Sequence, residues 1–181
     1  MSLPTMFGAH QRFNASCGDS WKNYLKWSGY HQITELVSTD SILCPAVIQN
    51  LVETDWEHNV KEDYKVFFFR DFEYLRERIK YDPKLHNLLA INERPTSTPE
   101  SIKSFEFCGY DILDSYDSIS VLTNCGGFPS IFAPSEVNHF GLLDDLNRAE
   151  EIATAIRVAN PEETHCCDCR IWSLARYIGS V

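Results

Sequence analysis

The chain has 181 residues, with twenty-six acidic against sixteen basic side chains, a net charge of −10, and hydrophobic and aromatic fractions of 44% and 13%. That apolar content supports a packed core and excludes an overall disordered chain, and no run approaches the ~18 apolar residues of a membrane span. The acidity excludes nucleic acid as a direct partner, since phosphate contacts need a cationic surface, and favours a basic protein partner through electrostatic steering.

The opening MSLPTMFGAH lacks the basic and apolar regions of a signal peptide and is short and non-periodic. The seven cysteines follow no regular framework and read as reduced thiols in a cytoplasmic protein. Ser16 and Asp19 stand at a helix start, Trp21, Tyr24 and Leu25 share one helical face, and Gly29 ends the helix. Ile33, Leu36 and Val37 within residues 31–38 fit a strand. Pro45, followed by Val47, Ile48, Leu51 and Val52 at helical spacing, predicts a helix fading near Trp56.

The next segment mixes acids with aromatics and is expected to wrap the surface as a loop. Aromatics supply interface anchors and acids supply steering, so Asp55, Trp56, Glu57, Asp63 and Tyr64 are candidate binding residues. Val66 to Phe69 are strand formers, and Asp71 caps a helix whose apolar stripe is Phe72, Leu75 and Ile79. Asp82-Pro83 breaks it, and residues 85–92 read as a second strand. Residues 92–101, rich in Pro, Ser and Thr, are expected as a loop inside one domain spanning 1–181.

Alternating patterns in residues 102–113 and 118–124 flank the turn residues 114–117 and predict a hairpin over 102–123. The chain leaves it through Asn124-Cys125-Gly126-Gly127, a tight loop needing a positive φ. Leu142, Leu146, Ala149, Ala153 and Ile156 recur at helical spacing over 142–158, with Asp144 and Asp145 at its start. Asn160-Pro161-Glu162-Glu163 signals a last helix running to about Ile178, against which stands a terminal strand, since Ile171, Trp172 and Tyr177 are also strand residues. The mixture, without regular β–α alternation, predicts an α+β fold: an antiparallel sheet containing the hairpin, with helices packed on one side.

Three constellations could carry chemistry. Cys125 ahead of two glycines could be an exposed nucleophile, with His139 as base, Asn138 orienting the imidazole, and the Gly126 and Gly127 amides as anion-stabilising donors together with the adjoining Asn124. The plainer reading is a half-buried thiol beside a glycine turn. His165, Cys166 and Cys169 include a C-x-x-C spacing suited to zinc, although the second pair of a strong zinc motif is absent. On a helix, Cys167 would join Ile171, Leu174 and Ile178 on the apolar face, with Cys166 and Cys169 opposite. Asp111, Asp114 and Asp117 lack the spacing of a calcium loop and read as turn residues.

No nucleotide-binding glycine loop, zinc-protease motif or serine-hydrolase elbow is present. Two functions follow as expectations. One is a protein-binding module that occupies a basic partner in the manner of an inhibitor or immunity-type protein, with no cofactor. The other is a thiol-dependent hydrolase or transferase using Cys125.

Overall fold

The computed structural model describes residues 5–38, 51–60, 67–97, 102–116, 119–123, 130–163 and 166–179. The N-terminal stretch forms β1 (Met6–Gln11), followed by β2 (Phe13–Asn14), α1 (Asp19–Ser28) and β3 (Glu35–Leu36). Next come α2 (Asp55–His58), α3 (Phe72–Arg78), β4 (His86–Glu93) and β5 (Phe105–Leu113), and then α4 (Leu146–Ala159) and β6 (Arg170–Tyr177). The result is a single-domain α+β arrangement. Among the described residues no helix is long and apolar enough to cross a membrane.

Local signals account for most of the helices. Gly29 closes α1 in the left-handed region, its N–H donating to the Leu25 carbonyl. Asp71 caps α3 by accepting from Tyr74 N, and Asp145 caps α4 by accepting from Arg148 N. The helix expected from Pro45 falls largely on residues outside those described; α2 begins at Asp55, where that helix was expected to fade. Val66 also lies outside them, but Phe69 bridges to both Phe7 and Asn59, bringing its segment alongside β1.

The four-stranded sheet runs β1-β4-β6-β5, and every neighbouring pair is antiparallel. Residues 6–11 supply an edge strand, Met6 pairing with Ile91 and Ala9 with Leu88, and this pairing requires no periodicity in the short segment itself. One expectation is corrected here. The last element is a strand and not a helix over 161–178. Asn160 to Glu163 makes turns instead, with Glu163 N donating to Asn160 O and Cys166 N to Glu163 O. Central placement decides it: Ile171, Trp172, Ser173 and Leu174 are buried on both faces, a condition met by a strand between β4 and β5.

The chain reverses after Leu113 as a hairpin does. Asp114 N donates to Ile119 O, Val121 N to Ile112 O, and Leu113 bridges to Ser120. The long ladder of β5 is made with β6, however, and among the described residues the return arm forms no strand of its own.

Helices α3 and α4 lie on one face of the sheet. Phe72 of α3 meets the rings of Phe7, Phe105 and Tyr177. Ala149, Ile152, Ala153 and Ile156 of α4 pack with Tyr110, Ile112 and Ile171. Burial of each such isoleucine contributes roughly 1.5–3 kcal/mol. The register places Ile171 and Tyr177, an even number of positions apart, on the same face. The opposite face, carrying Met6, Ile91, Trp172 and Leu174, is covered by Val37, Phe68, Phe140 and Leu142.

Candidate functional site

The acidic, aromatic segment singled out in the sequence forms a tight turn entering α2. Asp55 is wholly buried. Its carboxylate accepts from Val52 N at 2.7 Å, from the Tyr74 hydroxyl at 2.9 Å, and from Arg78 Nε and Nη2 at 3.0 and 3.3 Å. Burial works to raise the Asp55 carboxyl, but these donors and the Arg78 charge outweigh it and hold the group below its usual range. His58 stacks on Tyr74 with ring centroids 3.7 Å apart, tying the far end of α2 to α3.

Asp55 is therefore the internal pin of the turn rather than a surface contact. Its neighbours point outward. Val52 and Trp56 are 49% and 47% exposed, and the carboxylates of Glu53 and Glu57 are exposed beside them. The arrangement offers an apolar anchor within an acidic frame, held in one conformation before any partner arrives. Asp63 and Tyr64 lie outside the described residues.

Of the thiol constellation, Asn124, Cys125, Gly126 and Gly127 also lie outside them. His139 is exposed, with its ring 4.0 Å from that of Phe140. Its carbonyl accepts from Thr34 N and Glu35 N. Asn138 has a different task from orienting an imidazole. Its Nδ2 donates to Cys108 O at 2.8 Å and Asp144 Oδ1 at 2.6 Å, and its Oδ1 accepts from Phe140 N and Leu142 N. Those four bonds use the amide's full capacity to hold the 138–144 turn.

The cysteine run is arranged oppositely to the helical expectation. Cys166 and Cys169 are buried and Cys167 is exposed, because the segment turns into β6 instead of coiling. Burial pushes the Cys166 thiol up and the Cys169 thiol up to about 11. His165 is outside the described residues, and among those described no group of three His, Cys, Asp or Glu could hold a metal ion.

The aspartate series is likewise internal. Asp111 Oδ1 accepts from Ser120 Oγ at 2.6 Å and Ile112 N at 2.9 Å, while Asp114 Oδ1 accepts from Ile119 N; both residues are fully buried. Asp117 is outside the described residues.

Sequence reasoning missed a cleft of about 610 Å³ between residues 94–96, α4 and the start of β6, lined by Arg94, Arg157 and Arg170. These arginines are scattered in the chain without motif spacing, so no local signal could have joined them. No protein-family model, curated protein or solved structure matches the chain.

Proposed function

We propose that this protein is a binding module for a basic protein partner, and that the Val52–Glu57 turn is its contact surface. The observation that carries the reading is Trp56, an indole 47% exposed on a turn that a buried carboxylate fixes from below. Tryptophan is the residue type most able to anchor an interface, and pre-ordering it removes part of the entropy cost of association. Glu53 and Glu57 frame the anchor, and the net charge of −10 steers a cationic partner toward the molecule.

The test compares wild-type protein with Trp56→Ala as immobilised bait in native lysate at low salt, with captured proteins identified by mass spectrometry. The expected result is a basic protein retained by the wild type, released by salt and lost from Trp56→Ala, while the two baits melt at the same temperature. Identical capture by both baits, or no salt-sensitive basic protein at all, would sink the proposal.

A further inference from the structure

The arginine-lined cleft is independent of the α2 surface. Arg94 lies just beyond β4, Arg157 in the last turn of α4 and Arg170 at the first position of β6. A volume of about 610 Å³ is within the range of small-molecule sites. Collecting three guanidinium groups around one cleft is electrostatically unfavourable unless anionic groups compensate them.

The protein's own groups compensate them unequally. Arg94 and Arg170 share the Glu93 carboxylate, at 3.8 and 3.9 Å, and Arg170 also donates to Asp168 Oδ2 at 2.8 Å. Arg157 is half-buried, and among the described residues its guanidinium bonds only to the neutral Thr154 hydroxyl, at 3.3 Å. Cys169 on the same wall supplies no counter-charge, because burial keeps its thiol protonated against the pull of Arg157.

Arg94 adds a separate observation. Its φ is +50°, in the left-handed region that is costly for a residue with a long side chain, and its N–H donates to Ile171 O at 2.9 Å. Glycine would satisfy that backbone at lower cost, so an arginine there has a use for its side chain. The walls also carry Glu150 and Asp168, which would repel a bare anion and accept hydrogen bonds from hydroxyl groups.

We propose that this cleft binds a small hydroxylated phosphate ester. Its phosphoryl oxygens accept from Arg157 and Arg94, and its hydroxyls donate to Glu150 and Asp168. A phosphate dianion matches two planar guanidinium donors, and hydroxyls on the ester have the Glu150 and Asp168 carboxylates as acceptors.

Calorimetric titration and thermal melting of the full chain with ribose 5-phosphate, inorganic phosphate and ribose test the proposal. Ribose 5-phosphate is expected to bind and raise the melting temperature. Ribose should have no effect, and inorganic phosphate should bind at least about tenfold more weakly than the ester. Arg157→Gln, at a half-exposed position with only a neutral partner, should fold normally and lose about tenfold or more in affinity. Arg94→Gly should also lose affinity while melting no lower than the wild type, a combination that a purely structural Arg94 would not produce. Absence of ribose 5-phosphate binding, equal binding of inorganic phosphate, or wild-type affinity in either variant overturns the proposal.

Discussion

Two carboxylates in partly apolar surroundings govern the acid side of stability. Glu35 accepts from Arg12 through both Nε and Nη2, from Asn87 at 2.8 Å and from Arg176 at 3.2 Å. Burial acts to raise its carboxyl; the bonds from Arg12 and Asn87 and the charges of Arg12 and Arg176 prevail and lower it, as the corresponding groups do at Asp55. With both groups lowered in the folded state, the unfolded chain binds protons first as pH falls. Their stabilisation is complete above the ordinary carboxylate values near 4 and is lost as pH drops below them toward the folded values. Urea midpoints measured between neutral and strongly acidic pH should fall in that window, and the fall should be shallower in Asp55→Asn. At neutral pH the same substitution should cost roughly 2–4 kcal/mol by leaving Arg78 without its carboxylate, while the exposed Glu57→Gln changes little. Cysteine alkylation near pH 7 gives a separate check. Cys167 is exposed and should react well ahead of Cys108 and Cys169, whose thiols burial pushes up to about 12 and about 11.

Among elements, β5 depends on one glycine. The β5–β6 register shifts between Phe107 and Gly109, and Gly109 has a φ of +139°. A Cβ there would stand 2.7 Å from both Leu142 Cβ and the Leu143 carbonyl oxygen. That close approach lets Tyr110 and Leu143 exchange backbone hydrogen bonds of 2.8 and 3.0 Å, which ties the 138–144 turn to the sheet. Gly109→Ala should therefore cost roughly 2–4 kcal/mol, combining backbone strain with overpacking. Loss of the α4 cap in Asp145→Ala should cost about 1 kcal/mol, since the helix keeps its buried face. Urea denaturation of the two variants ranks them, and a Gly109→Ala protein as stable as Asp145→Ala would show that the turn can yield.

For the whole molecule, the decisive fact is that the last strand in the chain lies inside the sheet. β6 pairs with β4 on one side and β5 on the other, so neither strand has its full set of partners until residues 170–177 are in place. In chain order β5 follows β4, yet in the sheet the two strands flank the position that β6 later fills. Truncation before Arg170 should abolish cooperative thermal unfolding, because β4 and β5 would lose a ladder and the core would lose Trp172 and Leu174. Truncation after Ile178, which is 53% exposed, should be tolerated. Circular dichroism melts of the two shortened chains separate these outcomes.

The sequence by itself determined what depends on near neighbours. Asp71 announced α3 because a cap bonds to a backbone N–H three residues on, Gly29 closed α1 for the equally local reason of its left-handed φ, and the run 85–92 read as a strand from side-chain type, whereas the helix expected from Leu142 begins only at Leu146, behind the Asp145 cap. The α+β class followed from the order of such signals. The tertiary structure decided whatever depends on distant chain. It made an edge strand of residues 6–11 and converted 170–177 from an expected helix into a central strand, since ladder partners far along the chain outweigh a local start signal. It also turned Asp55 inward, reversed the exposure of Cys166 and Cys167, and gathered Arg94, Arg157 and Arg170 around one cleft. Burial and electrostatic environment belong to three-dimensional neighbourhoods, and residue spacing along a chain carries no record of which remote segments will meet.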